Sequence, residues 1–203
     1  MATYQIRIAL SCLFLMASLF ADDQLESVYE DILITYSNIK SYEADFQQEN
    51  FWKELDIIKQ SEGKMYYNTD HFLMKYSEPA GQLLLIKKDV VTMYDAASHQ
   101  ALISNDIQTE LRPVKLISEY WDVSKKELIE SDSISFRINL VTPDSQQIEV
   151  NIKNFLITEF TIIDVDDNSV TYKFSNEKIN KNLPENIFEI TLPEGTNIID
   201  NRR

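Results

Sequence analysis

The spacing of apolar residues divides the chain into a helical start and a longer region of strands. Residues 24–40 place apolar side chains three and four positions apart, which is the spacing of an amphipathic helix with one apolar face. After Ser41 the period changes to two, because Tyr42, Ala44 and Phe46 alternate with polar residues. The pattern therefore predicts one helix followed by a sheet.

Short apolar runs separated by turn residues continue to the end of the chain. We predict strands at residues 65–68, 72–76, 82–86, 90–94, 133–141, 147–152, 156–165, 169–175 and 188–192. Residues 106–122 interrupt this series, and Pro113 is suited to the first turn of a short helix there. Strands do not alternate with helices, so a parallel sheet is not expected. We predict a mainly β, α+β fold whose antiparallel meander is curled into a barrel or sandwich.

The first 21 residues have the features of a signal peptide. Arg7 precedes an uncharged run at residues 8–19, which is too short for a membrane-spanning helix. Ala21 is the predicted cleavage residue, and an uncleaved N-terminal anchor is the alternative. Cys12 lies within the apolar run, so we interpret it as part of that run and not as a lipoprotein attachment site. We expect an exported, cysteine-free chain in which residues 22–203 form one domain.

The composition excludes several classes of partner and cofactor. The formal net charge is −14, and Arg7 is the only charged residue before Asp22, so residues 22–203 carry −15. Such a chain repels nucleic acid and anionic lipids. The three glycines are too far apart for a phosphate-binding loop, and one Cys with two His cannot form a common zinc site. We predict no cofactor and no metal ion.

Candidate catalytic groups are few. His71 and His99 have no metal-ligand spacing, and no nucleophile motif is present. Residues 164–168 resemble the start of a calcium loop, but Ser169 and Ser175 stand where that loop needs Gly and Glu, so we interpret the run as a turn. The residues alone predict a β-rich exported domain without a catalytic site.

A series of motifs adds a function by resemblance. In chain order they are Ser41-Tyr42-x-Ala44-x-Phe46-x-Gln48, Gly63, Phe72-x-Met74-x-Tyr76-x-x-Pro79, Gln82-Leu83-Leu84-Leu85-Ile86, Tyr94-Asp95, Gln100, residues 113–118, Phe188-Glu-Ile-x-x-Pro193-x-Gly195 and Asp200-Asn201-Arg202. This series resembles the periplasmic outer-membrane lipoprotein carriers (LolA). One departure is that Asn68-Thr69-Asp70-His71 stands where the family has an Arg-Pro pair that ties down the lid, so we assign no lid latch.

The resemblance implies a specific fold and a transport role. The expected fold is an incomplete, strongly curved antiparallel β-barrel, covered by an N-terminal helix and a short helical lid insertion. The implied protein is a soluble, monomeric, non-enzymatic periplasmic carrier that binds the acyl chains of lipoproteins in an apolar cavity. Its implied partners are acylated lipoproteins, an inner-membrane ABC release complex and an outer-membrane lipoprotein acceptor. Two alternatives are a periplasmic binding protein for a fatty acid or glycolipid, and a hydrolase with a dispersed triad.

The alternation pattern and the resemblance together predict the residues that line the cavity. From the sheet they are Tyr42, Phe46, Phe72, Met74, Tyr76, Leu83, Leu85 and Met93, and from the helices Leu25, Val28, Ile32, Leu116 and Ile117. Because successive residues of a strand point to opposite faces, a shift of one position would exchange inward and outward side chains.

Overall fold

A computed structural model describes residues 24–105 and 112–202, most of which form one sheet. The strands are β1 (Ser41–Trp52), β2 (Ile57–Asn68), β3 (His71–Glu78), β4 (Leu83–Lys87), β5 (Val90–Asp95), β6 (Gln100–Ser104), β7 (Lys125–Ser131), β8 (Ser135–Val141), β9 (Gln147–Lys153), β10 (Leu156–Ile163), β11 (Ser169–Ile179) and β12 (Asn197–Asp200). Helix α1 is described over residues 24–37, α2 is Pro113–Trp121, and a 3-10 turn (Lys53–Leu55) joins β1 to β2.

Two predictions concern parts of the chain that the structure does not describe. The signal peptide at residues 1–21, with Cys12, lies outside the described residues, as do residues 106–111 of the predicted insertion. Over residues 24–105 and 112–202, no helix is both long enough and apolar enough to cross a membrane.

The sheet consists of two meanders joined edge to edge. Its strand order is β12-β6-β5-β4-β3-β2-β1-β11-β10-β9-β8-β7. Neighbouring strands are antiparallel except for β12, which runs parallel to β6. The two meanders meet where β1 pairs with β11. The edge strands β7 and β12 do not pair with each other in the described chain, so the sheet is an incomplete barrel with helices, as predicted.

The period-two pattern places an apolar layer on the sheet face that α1 and α2 cover, which we call the inner face. Tyr42, Ala44 and Phe46 of β1 are fully buried there. Alternate residues of β8 and β9 are buried on the same face. They include Ile138, Leu140, Ile148 and Val150, which are completely buried. These side chains, with those of the helices, form one continuous core.

Some of the predicted elements differ from those observed. The pattern misses β6 and β7, because β6 has only five residues and β7 is mostly polar and exposed. The pattern predicts a strand at residues 188–192, but these residues do not form one. They belong to a loop whose apolar side chains, including Phe188, pack on Leu73 and Leu85 at the opposite, outer face of the sheet. The apolar run at residues 188–192 therefore belongs to a loop that covers the outer face of the sheet, and the C-terminal strand is β12.

Gly63 allows β2 and β3 to approach closely at an irregular step in their pairing. A Cβ added at Gly63 would lie 2.2 Å from the carbonyl oxygen of Lys75. Gly63 pairs with Phe46 on β1 and with Tyr76 on β3, and the two rings meet edge to face with their centroids 5.0 Å apart. The missing side chain thus makes room for an aromatic contact on the inner face.

Candidate functional site

The candidate site is the apolar layer between the inner face and the two helices. Helix α1 contributes four buried side chains at helical spacing, which are Leu25, Val28, Ile32 and Tyr36. Helix α2 begins with Pro113 at its first turn, as the sequence predicted, and buries Leu116, Ile117 and Trp121. Both helices therefore direct their apolar faces into the same core.

Trp121 connects the two helices to each other and to β7. Its ring stacks on Tyr29 of α1 with centroids 3.8 Å apart, and its Nε1–H donates a hydrogen bond to Glu26 Oε2 at 3.3 Å. The Lys126 ammonium lies 5.3 Å from the centroid of the Trp121 ring and 3.7 Å from Glu26 Oε1. Together these contacts hold α2 against α1 at one end of the apolar layer.

The C-terminal end of α1 is attached to the sheet by polar contacts. The buried Tyr36 hydroxyl accepts a hydrogen bond from the backbone N–H of Ile157 at 3.1 Å, next to an irregularity in the pairing of β9 and β10. Burial raises the pKa of Tyr36, so its hydroxyl stays protonated at neutral pH. Asn180 Oδ1 accepts from the Lys40 N–H at 2.7 Å, and its amide donates to the Asn38 carbonyl at 2.9 Å.

In the part of the chain that the structure describes, the space between α2 and the sheet, where the resemblance places the cavity, is closed. A narrow gap between α2 and the sheet, lined by Met65, Met74, Leu116, Tyr172 and Phe174, has no room even for a water molecule. Because this gap does not admit water, it cannot hold a long acyl chain. Side chains therefore fill the interior while α1 and α2 are in place.

An apolar row crosses the inner face from this space to the edge of the sheet. Directly paired residues of neighbouring strands lie side by side on one face. The pairing register connects, in spatial order, Ala44, Met65, Met74, Leu84, Met93, Leu102 and Ile199. Every member of this apolar row is hydrophobic, and three are methionines, whose flexible side chains adapt to ligands of different shape.

The apolar row is buried at its Met65 and Met74 end and partly exposed over the strands nearer the edge. Met65 and Met74 are buried, Leu84 and Leu102 are half-buried, and Met93 and Ile199 are 45% and 43% exposed. The part from Met74 to Ile199 takes four steps between strands and so extends about 19 Å. It forms a continuous apolar surface that begins in the interior and ends at the open side of the sheet.

One carboxylate is turned towards the interior by a bulge. β11 has one extra residue opposite Glu43–Asp45 of β1, and Asn176 takes a positive φ of 53° there. Asn176 donates to Asp45 on the outer side, whereas Glu177 faces Tyr42 and has a buried carboxylate oxygen without a hydrogen-bond partner. Desolvation raises the pKa of Glu177, an effect that the nearby Tyr42 hydroxyl opposes.

Ten of the thirteen predicted site residues lie together in this layer. They are Tyr42, Phe46, Phe72, Met74, Tyr76, Leu25, Val28, Ile32, Leu116 and Ile117. Met93 shares their face of the sheet but lies at its exposed side. Whether any of them binds a ligand stays a prediction.

The positions predicted for Leu83 and Leu85 are wrong. Both lie on the outer face, in the small cluster beneath the C-terminal loop, while Leu84 and Ile86 take the inner positions. Residues 82–86 are apolar on both faces because both faces of β4 are covered, so alternation could not identify the inward set.

Sequence reasoning also missed residues that the structure brings to the site. Leu84, Leu102 and Ile199 belong to the apolar row only through the strand register, which no local pattern encodes. Trp121 did have a signal, because it follows Ile117 by four positions, at helical spacing.

Polar residues that drew attention in the sequence have structural roles. The His71 ring stacks on Phe188 with centroids 5.0 Å apart, and His99 occupies a turn with a φ of 51°. Asp164 Oδ1 accepts hydrogen bonds from the N–H groups of Asp166 and Asn168, each at 2.9 Å, which is the predicted turn. Within the described chain, no group of three or more His, Cys, Asp and Glu side chains is placed to hold a metal ion.

The sheet, its helical cover and the apolar layer agree with a comparison to known protein families. The family model described as outer membrane lipoprotein carrier protein LolA matches residues 37–191, more than half of the chain. The chain belongs to the LolA family. An outer-membrane lipoprotein carrier protein of Coxiella burnetii (strain CbuK_Q154) is 25% identical over 173 residues, which cover 80% of this chain and 82% of that protein.

Solved structures share the LolA-family fold at low sequence identity. An uncharacterized conserved protein from Thermus thermophilus is 13% identical with a TM-score of 0.56, over 89% of this chain and 99% of that one. MucB is 11% identical with a TM-score of 0.56, over 85% of this chain and 63% of that one. At these identities the likeness concerns the fold alone.

Proposed function

We propose that this LolA-family protein is a periplasmic carrier that binds the acyl chains of lipoproteins on its inner face. The observation that carries the proposal is the apolar row, which joins the buried interior to an exposed edge of the sheet. Family membership and a relative named as an outer-membrane lipoprotein carrier protein support it. The site has the adaptable apolar surface that a hydrocarbon chain requires.

The energetics of such a carrier depend on the reference state. Burial of a CH₂ group stabilises by about 0.8 kcal/mol relative to water, so several long chains in water would bind almost irreversibly. The proposed cargo instead leaves one membrane and enters another, and exchange between bilayer and apolar protein is close to neutral. Loading of the cargo from the first membrane then needs external work. Release into the second membrane is favourable when the contacts of the cargo with the protein are slightly weaker than its contacts with lipid.

The filled interior favours such release. Cargo that enters the space between the helices and the sheet has to displace contacts of Leu116, Ile117 and Met74, which are almost completely buried in the empty protein. Restoration of these contacts stabilises the empty form and offsets part of the binding free energy. We therefore propose that loading moves α2 away from the sheet and that closure accompanies release.

The transport route is part of the proposal. We infer that cargo comes from an inner-membrane ABC release complex, which supplies the work of loading, and passes to an outer-membrane lipoprotein acceptor. We infer further that the monomeric carrier is exported to the periplasm by an N-terminal signal peptide that is cleaved after Ala21. The proposed role requires no catalytic step, because the carrier transfers an intact molecule.

Exposed members of the apolar row permit a clean test, since a charge at a fully buried position would unfold the protein. Ile198 and Ile199 are adjacent on β12, point to opposite faces and are 53% and 43% exposed. With residues 22–203 and a fluorescent triacylated cysteinyl peptide, we expect Ile199→Asp and Met93→Glu each to weaken binding at least tenfold, about 1.4 kcal/mol. Ile198→Asp is the matched control and should bind like the wild type.

Two outcomes would contradict this assignment. Equal effects of Ile198→Asp and Ile199→Asp would mean that the inner face is not the site. Mass spectrometry of an organic extract of the protein purified from its periplasm identifies the natural ligand. Recovery of a free fatty acid or glycolipid, without triacylated peptide, would replace the lipoprotein carrier with a binding protein for that lipid.

A further inference from the structure

The β1–β2 hairpin and the β10–β11 hairpin end together at one end of the sheet. The pairing of β2 with β3 stops at Glu62, so residues 57–61 extend beyond β3. The two hairpin ends are joined by a hydrogen bond from the Lys53 N–H to Asn168 Oδ1 at 3.0 Å and by an ion pair of Lys53 with Asp167. They form one protruding structure, which we call the hairpin tip and define as residues 52–59 and 164–168.

The hairpin tip is unusually apolar for an exposed structure. Five large apolar side chains are 37–67% exposed on it, namely Trp52, Leu55, Ile57, Ile58 and Val165. None of them belongs to the core layer or to the outer cluster. Ile57 and Ile58 are consecutive on β2 and point to opposite faces, so the exposed apolar side chains lie on both sides of the tip. Exposed apolar side chains concentrated at one end of a domain indicate a surface that contacts a partner or a membrane.

We propose that the hairpin tip inserts into the surface of a zwitterionic lipid bilayer, an interaction that rests on the proposed carrier function. The tip consists of the connecting segments at the ends of two hairpins, so its side chains can reach the interfacial layer of a membrane ahead of the rest of the sheet. Trp52 stands at its border with the Lys59 ammonium 5.6 Å from the ring centroid. Trp and Lys are favoured at membrane interfaces, where one end of the side chain is apolar and the other is hydrated.

The charge of the chain selects the kind of bilayer. Lys53 is neutralised by Asp167, and four carboxylates, Glu54, Asp56, Asp164 and Asp166, outnumber the remaining Lys59. With a net charge of −15 over residues 22–203, attraction to the bilayer comes from the apolar side chains and is opposed by anionic headgroups. Binding of this kind is weak and reversible, as a carrier that has to leave the membrane requires.

Vesicle binding tests the proposal without any lipoprotein. Phosphatidylcholine vesicles are added to residues 22–203, and Trp fluorescence and co-sedimentation are measured. The chain has two tryptophans, and Trp121 is buried, so a blue shift reports Trp52 entering an apolar environment. We expect Leu55→Asp with Ile58→Asp to reduce partitioning at least tenfold, and Ile134→Asp, which is 45% exposed at the β7–β8 turn, to leave it unchanged.

Two further measurements distinguish the remaining outcomes, namely binding to vesicles of different lipid composition and binding of the triacylated peptide. We expect replacement of one third of the lipid by phosphatidylglycerol to weaken binding, and added salt to restore it. No vesicle binding by the wild type, unchanged binding by the double variant, or a requirement for anionic lipid would overturn the proposal. Impaired lipoprotein transfer by the double variant, without vesicle binding by the wild type, would also overturn it and indicate a protein partner. Binding of the triacylated peptide, measured in the same samples, tests the carrier function separately.

Discussion

At the scale of single residues, the polar group with the greatest consequence is Glu177. The bulge in β11 turns its side chain towards Tyr42, beneath the helical cover, where desolvation raises its pKa above the ordinary 4.5. A folded protein with such a carboxyl binds the proton more tightly than the unfolded chain does. Stability is therefore unaffected at pH values below about 4.5 and falls as the pH rises from there through the raised pKa.

We predict that Glu177→Gln raises the melting temperature at pH 7, on the order of 2 °C, because the neutral amide avoids the desolvated charge. At pH 3.5, where the carboxyl is protonated in both states, the two proteins should melt at the same temperature. Thermal unfolding followed by circular dichroism at both pH values checks this. Glu127→Gln on exposed β7 is the control and should change neither value. A lower melting temperature for Glu177→Gln at pH 7 would show that ionised Glu177 is stabilising.

At the scale of elements, α2 depends on its packing because its own capping is weak. Arg112 at its N-cap makes no capping hydrogen bond with its side chain, and no acidic residue lies in the first turn. The nine-residue helix is too short to be stable alone in water. The burial of Leu116 and Ile117 and the contacts of Trp121 with Tyr29 and Glu26 of α1 therefore hold α2 in place.

Trp121→Ala should lower the free energy of unfolding by about 3–5 kcal/mol, since it removes a buried aromatic ring. Trp121→Phe keeps most of the stacking and loses the hydrogen bond to Glu26, so its expected cost is smaller, about 1–3 kcal/mol. Urea unfolding of residues 22–203 and their variants measures both. Equal costs for the two variants would show that the hydrogen bond, and not the ring stack, holds the helices together.

At the scale of the whole molecule, the sheet is a continuous support, and the helices are the part that the proposed loading step moves. The inner face is covered by α1 and α2, whereas the outer face near β2 to β4 is covered by the C-terminal loop. If cargo enters beneath α2, a covalent link between α2 and β3 should prevent loading. Leu116 of α2 and Met74 of β3 line the same narrow space, and residues 22–203 contain no native cysteine.

We predict that a Leu116→Cys, Met74→Cys double variant, once joined by a short cross-linker, loses at least nine-tenths of its binding capacity for the triacylated peptide. The untreated double variant and the two single variants treated with the same reagent should keep most of theirs. Fluorescence titration gives the capacity, and mass spectrometry verifies the link. Full binding by the cross-linked protein would place the site outside the space beneath α2.

Local patterns were sufficient for much of this molecule. The helical spacing of Leu25, Val28 and Ile32, and the alternation of Tyr42, Ala44 and Phe46, each depend only on which face of one element is buried. The same holds for Pro113 at the start of α2 and for the turn at Asp164. Together they indicated a mainly antiparallel fold with a helical insertion.

Other features depend on contacts between residues far apart in the chain. Leu83 and Leu84 are chemically identical, and only the pairing of β4 with β3 and β5 assigns Leu84 to the inner face. Phe188 has the pattern of a strand residue but covers the outer face from a loop, and Ile199 joins the apolar row through a parallel pairing with β6. The closed interior likewise follows from how side chains of two helices and a sheet fill one space, because packing is a property of the assembled elements and not of any one segment.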